Sequence, residues 1–276
     1  FEDSEGVLWV GTNEGLNQYN AGTDGFSSQF TERGSDEGPE DTIIDAMAED
    51  QQKNLWIGTY NAGVSVYIRS EDRYLNYPHD PSDPASLSDN LVRTILCDSS
   101  GTVWIGTNRG LNKFDRETGG FRRYFHEIED PTSLSSHVIR DIYEDSKGNI
   151  WIGTSGGGLN RYIKESDSFE YYGRKHGISD NTILGILEDE RGNLWLSTRY
   201  GISVFAPETE TFRTIGRTSS LPTMEMATGK AVGSDGMMFF GTVGGVLRVN
   251  PSMVDAESLE SKLVLTDFMV WDEAER

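Results

Sequence analysis

Residues 145–154 read Asp-Ser-Lys-Gly-Asn-Ile-Trp-Ile-Gly-Thr, and variants of this stretch occur five more times along the chain. Aligned on the central aromatic residue, successive copies are 47, 48, 47, 44 and 44 residues apart. The aromatic residues are Trp9, Trp56, Trp104, Trp151, Trp195 and Phe239. A constant period of this length is typical of repeat proteins, in which each unit buries its faces against its neighbours. The sequence therefore predicts one assembly of six like units.

The fourth unit shows how one repeat should fold. Residues 137–144, 150–154, 159–162 and 169–173 are short runs rich in β-branched and aromatic residues, which favour strands. Asp145 and Gly148 suit a hairpin turn, because Asp can accept hydrogen bonds from nearby backbone and Gly adopts a positive φ without strain. Four short antiparallel strands at this spacing predict a blade of a β-propeller, so the fold class is all-β.

The number of blades is open at this point, because six repeats fit either a six-bladed ring or an incomplete seven-bladed one. The first unit begins after most of its inner strand, which favours the second alternative and suggests that the chain is a fragment of a longer one. We assign residues 1–250 to the propeller and residues 251–276 to a linker and the start of a C-terminal β-sandwich. In the second unit Lys53 replaces the turn glycine, and we expect Asn54 to take the positive φ there.

We expect the repeated aromatic residue to be a wedge between neighbouring blades, because a buried Trp removes roughly 150–250 Å² from water. The glycine two positions later in the repeat, such as Gly153, should leave room for a close neighbour. The repeated turn aspartates should be structural, since a catalytic acid needs one special environment whereas a turn residue is needed in each blade. They are Asp3, Asp50, Asp98, Asp145 and Asp189.

Composition excludes several classes of function. The formal charge is −21, and such a surface repels polyphosphate, so we expect no nucleic-acid partner. The single cysteine, Cys97, cannot form an intrachain disulfide and is expected to be a buried hydrophobe. No pair of the four histidines has a spacing typical of metal ligands, so we expect no metal, no cofactor and no catalytic residue. The sequence contains neither a signal peptide nor an apolar run of about 18 residues.

One face of a propeller carries the turns between the second and third strands and the connectors into the next inner strand. This face surrounds the central opening and is, by architectural analogy, the ligand side. Aromatic rings with amide and guanidinium donors there would suit a sugar. The alternative is that the asparagines serve turn geometry. The candidate residues are Asn13, Tyr60, Asn61, Asn90, Asn108, Arg109, His137, Asn181, Arg199 and Tyr200.

The repeated run Asp-x-x-Gly-x-(Leu/Ile/Val)-Trp-(Ile/Val)-Gly-Thr-x-x-Gly-Leu-Asn-x-(Tyr/Phe) resembles the two-component regulator propeller repeat. The connector at residues 83–88, Asp-Pro-Ala-Ser-Leu-Ser, and its echo at residues 130–135 add to the resemblance, which covers about residues 1–250. Residues 262–270 resemble the opening of the small Ig-like "three-Tyr" β-sandwich that follows such propellers.

The resemblance implies a periplasmic, extracytoplasmic sensor region of an inner-membrane receptor. Such receptors usually feed a histidine kinase and many respond to oligosaccharides. It also implies two partners within the parent protein, namely the C-terminal sandwich and a membrane-linked output domain. A homodimer is left open. Two other classes remain as alternatives, a propeller enzyme such as a polysaccharide lyase or glycoside hydrolase, and a protein-interaction scaffold. The Trp-Asp dipeptide occurs only at residues 271–272, outside the repeats, which argues against a scaffold of the WD kind.

Overall fold

The computed structural model describes residues 1–29, 38–215 and 225–254. This part of the chain is built from strands, with short 3-10 helices at Arg174–His176 and Pro251–Met253. The strands are β1 (Trp9–Thr12), β2 (Gly15–Asn20), β3 (Gly25–Gln29), β4 (Ile44–Glu49), β5 (Leu55–Thr59), β6 (Val64–Ile68), β7 (Arg73–Tyr77), β8 (Val92–Cys97), β9 (Val103–Thr107), β10 (Gly110–Asp115), β11 (Gly120–Tyr124), β12 (Ile139–Glu144), β13 (Ile150–Thr154), β14 (Leu159–Ile163), β15 (Ser168–Tyr172), β16 (Ile183–Glu188), β17 (Leu194–Thr198), β18 (Gly201–Ala206), β19 (Thr211–Ile215), β20 (Met226–Val232), β21 (Met238–Thr242) and β22 (Gly245–Val249).

The strands form six antiparallel sheets in which each strand pairs with the next along the chain. The sheets are the blades of a six-bladed β-propeller, and we number them one to six in chain order. Blades two to five have four strands each, whereas the described parts of blades one and six have three. The inner strands β4, β8, β12, β16 and β20 lie side by side in that order. The predicted all-β propeller is confirmed, and of the two predicted blade numbers the structure shows six.

The blades pack through their repeated tryptophans. Trp104 of blade three is 1% exposed and packs on Ile139, Ile142 and Tyr162 of blade four. The rings of Trp104 and Tyr162 meet edge to face with centroids 4.8 Å apart, an arrangement that aromatic pairs prefer. The other four tryptophans are buried in the same way. In blade six, Phe239 is half-buried beneath the Arg248 guanidinium.

In blades one to four, the glycine two positions after the tryptophan allows a close approach between blades. A Cβ at Gly106 would lie 2.5 Å from Cγ2 of Ile139, and one at Gly153 would lie 2.8 Å from Cγ2 of Ile183. Both isoleucines belong to the inner strand of the following blade. Any side chain at these positions would force neighbouring inner strands apart.

The repeated aspartate holds both the turn and the tryptophan. In blade four, Oδ1 of Asp145 accepts hydrogen bonds from the backbone N–H groups of Lys147 and Asn149, while Oδ2 accepts one from Nε1 of Trp151 at 2.8 Å. The same bond joins Trp and Asp in the first, second, third and fifth blades at 2.8–3.0 Å. The aspartates are therefore structural in these five blades, as the sequence predicts.

The turn of blade two differs from the sequence prediction. Lys53 itself adopts a positive φ of 64°, at the position where Gly148 has 81° and Gly192 has 79°. The expectation that Asn54 takes the positive φ was wrong. Oδ1 of Asp50 accepts hydrogen bonds from the backbone N–H groups of Gln52 and Asn54. These bonds fix the turn and impose the positive φ on Lys53.

The predicted C-terminal sandwich at residues 262–270 and the dipeptide at 271–272 lie outside the described residues. In the described ranges, neither helix has the length and apolar character that crossing a membrane requires.

Candidate functional site

The turns between second and third strands lie beside the connectors at one end of the ring, which we call the mouth. The backbone N–H of Tyr60 donates to the carbonyl of Ile43 at 3.1 Å, and that of Asn108 donates to the carbonyl of Leu91 at 3.1 Å. Ser155 makes the same bond in blade four at 2.9 Å. Each bond joins a turn to the residue that leads into the inner strand of the same blade. The mouth therefore combines the two sets of loops that the sequence analysis singled out.

Each inner strand of blades two to five contains a β-bulge close to the mouth. The register shifts by one residue directly after the first residue of the strand. A bulge leaves one residue unpaired and changes the direction of its side chain. The bulge residues are Asp45, Arg93, Arg140 and Leu184. Four neighbouring blades thus present one unpaired residue each at equivalent places, and two of the four are arginines.

Arg93 connects the bulge of blade three to blade two. Its guanidinium lies 5.8 Å from the centre of the Tyr60 ring and forms a long ion pair of 3.8 Å with Oδ2 of Asp45. Burial raises the pKa of the Asp45 carboxyl, the Arg93 charge partly offsets that rise, and the neighbouring Asp41 adds to it. The Tyr60 ring is 40% exposed, so it offers an aromatic face to solvent next to a cation.

Arg140 has no counterion in the part of the chain that the structure describes. Its side chain is half-buried and makes neither a hydrogen bond nor an ion pair with residues 1–29, 38–215 or 225–254. Burial lowers the pKa of its guanidinium, and the positive charges of Arg93 and Arg199 lower it further. Arg199 is exposed in the turn between β17 and β18. We call these three arginines, from blades three, four and five, the mouth arginines; Arg140 stands on the middle blade, between the other two.

A buried ion pair ties the inner strands together beside this cluster. Lys230 of blade six donates to the Asp141 carboxylate of blade four and, at 3.0 Å, to the Ile186 carbonyl of blade five. Asp141 also accepts the backbone N–H of Ile186 at 2.7 Å. Burial raises the pKa of the Asp141 carboxyl against the opposing effect of Lys230. The contact links three consecutive blades and is adjacent in sequence to Arg140.

Two of the predicted site residues, Tyr60 and Arg199, belong to this arrangement. Two others have structural bonds: Oδ1 of Asn90 accepts the backbone N–H of His79 at 2.6 Å, and Oδ1 of Asn181 accepts that of Arg174 at 2.9 Å. Their amides hold the connectors, in line with the alternative that asparagines here serve turn geometry. The remaining predicted residues are exposed or partly exposed on the loops, without a contact that joins them to the mouth arginines: Asn13, Asn61, Asn108, Arg109, His137 and Tyr200.

His137 lies in a separate open hollow of about 670 Å³ at the connector between blades three and four. Its ring is 5.7 Å from that of His126, whose Nδ1 lies 2.6 Å from the Leu134 carbonyl oxygen. The other lining residues include Glu127, Glu129 and Asp130. Nδ1 of His126 is therefore hydrogen-bonded within its own connector. His79 makes the equivalent contact with the Leu87 carbonyl.

Sequence reasoning missed Arg93 and Arg140. Arg140 falls within the predicted strand 137–144, and Arg93 occupies the corresponding place in the preceding repeat. A signal was present, since an arginine occupies the same place in two consecutive repeats of a strongly acidic chain. The bulge that changes the direction of these side chains has no marker in a single sequence.

Comparison with known proteins gives matches along most of the chain. The family model "Two component regulator propeller" matches residues 37–61, 86–109, 133–156 and 177–200. Histidine kinase P4 from Formosa agariphila is 28% identical over 222 residues, which are 80% of this chain and 16% of that protein.

Among solved structures, the extracellular domain assigned to the hybrid two component system BT3049 from B. thetaiotaomicron is 31% identical, with a TM-score of 0.77. The match covers 91% of this chain and 33% of that one, so this chain spans about a third of its length. Virginiamycin B lyase from Staphylococcus aureus has a TM-score of 0.58 at 16% identity, covering 76% of this chain and 67% of the lyase. That second likeness concerns the fold alone.

Proposed function

We propose that this chain, which is built from two-component regulator propeller repeats, is part of the sensor region of a two-component signalling receptor. The observation that carries the proposal is the likeness to the extracellular domain of a hybrid two component system, at 31% identity along 91% of this chain. The match to a histidine kinase supports the same class of parent protein. The other proposals below rest on this one.

The location that fits this role is extracytoplasmic, on the periplasmic side of an inner-membrane receptor. The output would then lie in a membrane-linked domain, with the predicted C-terminal sandwich as the connection. This chain matches 16% of the histidine kinase and 33% of the extracellular domain, so both relatives are long enough to contain such parts.

The ligand we propose is an oligosaccharide or a similar extracellular small molecule bound at the mouth. Tyr60 offers a half-exposed aromatic face, Arg93 offers hydrogen-bond donors beside it, and Arg140 and Arg199 add donors on the next two blades. Sugars combine apolar faces with many hydroxyl groups and are bound by such mixtures of rings and polar donors.

Signalling would follow from a shift between two arrangements of the receptor. A ligand can shift such an equilibrium only by its difference in affinity for the two states. The mouth draws its residues from blades two to five, so a ligand there contacts several blades at once. It can therefore favour one relative placement of the blades, or of two receptor chains in a dimer.

We propose a binding role without catalysis. Nδ1 of His79 and Nδ1 of His126 each lie 2.6 Å from a backbone carbonyl oxygen. Nδ1 of His176 accepts the backbone N–H of Gly173 at 2.8 Å. These contacts give three of the four histidines a structural task.

The test is titration of the purified chain against a panel of oligosaccharides by calorimetry, with the same samples assayed for cleavage. We expect saturable binding without cleavage. Tyr60→Ala should weaken binding roughly tenfold, as loss of one stacking contact of about 1–1.5 kcal/mol implies. Tyr171→Ala, on the outer strand of blade four, is the matched control and should bind like the parent. Cleavage products would move the protein to the lyase or glycosidase class.

A further inference from the structure

The mouth arginines form a positive centre in a chain whose formal charge is −21. Arg93, Arg140 and Arg199 stand on three consecutive blades. Asp45 reaches Arg93 across 3.8 Å, and Asp141, the residue after Arg140, is paired with Lys230. Like charges that share a partly desolvated site repel one another, so such a cluster costs stability unless a counterion completes it.

The cluster also has unused hydrogen-bond donors. Nε of Arg93 and Nε of Arg140 are both buried, and neither has a hydrogen-bond partner within the described residues. Leaving a charged donor buried and unpaired is costly, and native proteins do so rarely. Both donors belong to bulge residues, which the fold itself directs away from the β-ladder.

A guanidinium has a planar fork of donors that matches carboxylate, sulfate and phosphate groups. Arrangements of several arginines without enough acids are therefore typical of sites for oxyanions. The Tyr60 ring lies against the Arg93 side of the cluster, where an apolar part of the same ligand can rest.

We propose that the mouth binds a ligand through an oxyanion group, a carboxylate or a sulfate, held by Arg93, Arg140 and Arg199. This inference rests on the proposed sensor function and narrows its ligand to an acidic one, such as a uronate-containing or sulfated oligosaccharide. Arg140 is the central residue, since blade four stands between the blades that carry Arg93 and Arg199, and its Nε is buried without a partner within the described residues.

The experiment measures binding by calorimetry and the shift of the melting temperature. The probes are an oligouronate, the same oligomer with its carboxylates reduced to alcohols, a sulfated disaccharide, and inorganic sulfate exchanged for chloride at constant ionic strength. The variants are Arg140→Gln and Arg140→Lys. Arg191→Gln, an exposed arginine of the turn between β16 and β17 at the opposite end of the ring, is the control for loss of one positive charge.

We expect at least one acidic sugar to bind the parent and its reduced or neutral form to bind at least tenfold more weakly. Arg140→Gln should lower the affinity for the acidic ligand tenfold or more, and Arg140→Lys should lower it less because the positive charge remains. Arg191→Gln should bind like the parent. Binding of inorganic sulfate that depends on Arg140 would also support the oxyanion site and would show that a free anion suffices.

A second readout separates binding from folding. Without ligand, Arg140→Gln should melt at the same temperature as the parent or higher, because it relieves repulsion among the mouth arginines. Bound anion should raise the melting temperature of the parent but not of the variant. Failure of every anionic probe to bind, or equal binding by Arg140→Gln, would overturn the oxyanion site. If neutral oligosaccharides bound both proteins equally, this inference would fail while the proposed sensor function stood.

Discussion

Lys230 of blade six reaches over the inner strand of blade five to donate to the carboxylate of Asp141 in blade four. The Lys230 side chain can cross this strand because residue 185 is a glycine. A Cβ there would lie 3.0 Å from Cδ of Lys230 and 3.1 Å from Oγ of Ser197. The ion pair thereby joins residues 89 positions apart in the sequence and fixes three inner strands relative to one another.

The first prediction concerns this pair. Lys230→Met should destabilise the protein by about 3 kcal/mol near neutral pH, since it leaves the Asp141 carboxylate buried without its counterion. Without the lysine, the already raised pKa of Asp141 rises further, so the loss of stability should shrink as the pH falls through that pKa and the carboxyl is protonated. Urea unfolding at about pH 7 and pH 5 measures both effects. The double variant with Asp141→Leu should recover much of the loss, and equal losses at both pH values would contradict the account.

The second prediction concerns Trp104, which is hydrogen-bonded to Asp98 within blade three and packs against blade four. Trp104→Ala should lower the free energy of unfolding by about 3–5 kcal/mol, as for other core tryptophans. Trp104→Phe keeps the ring in the interface but removes the donor to Oδ2 of Asp98, so it should cost about 1.5–3 kcal/mol. Thermal melting and urea unfolding of both variants provide the comparison. An alanine variant as stable as the parent would refute the wedge role of this residue.

The third prediction concerns pH. Burial opposes ionisation of Asp3, but hydrogen bonds from the side chains of Trp9 and Arg69 and from two backbone N–H groups outweigh it and lower the pKa of the carboxyl to about 2. A lowered pKa contributes stability that is complete above the ordinary value of 3.8 and disappears as the pH falls through about 2. Asp3→Asn should therefore cost about 1.5–3 kcal/mol near pH 6, and the difference from the parent should close between pH 4 and pH 2.

The measurement is the free energy of unfolding of parent and variant across this pH range. Glu117→Gln, an exposed carboxylate of blade three, is the control and should differ little from the parent at any pH. Parallel curves for parent and Asp3→Asn would show that Asp3 is not the titrating group.

The fourth prediction concerns the strained turn of blade two. Lys53 has a φ of 64°, which costs a residue with a Cβ about 1 kcal/mol, whereas glycine adopts it freely. Its exposed ion pair with Glu5 contributes little. Lys53→Gly should therefore stabilise the protein by up to about 1 kcal/mol, measured by urea unfolding. The matched reversal, Gly148→Lys in blade four, should destabilise by a similar amount. A destabilised Lys53→Gly would show that the Glu5 contact outweighs the backbone strain.

The repeat period, the four-stranded blades, the tryptophan interfaces and the structural role of the turn aspartates were all predictable from the sequence. These features depend on interactions within one repeat or between neighbouring repeats, and each recurs in most of the units, as does the Asp145–Trp151 pair. Strand alternation and turn chemistry act locally, so their patterns can be read without a structure. Even so, the conformation of Lys53 was not predicted, because the neighbouring backbone imposes it against the residue's own preference.

The mouth arginines and the Asp141–Lys230 pair were decided by the tertiary structure alone. Closing blades around a centre brings together residues that are one or two repeats apart, such as Arg93, Arg140 and Arg199. A one-residue bulge in the inner strands of blades three and four then directs Arg93 and Arg140 away from the ladder. Neither effect has a local sequence code, since both arise from the packing of whole blades around a shared axis. The sequence by itself determined the blades, and the ring determined which of their side chains meet.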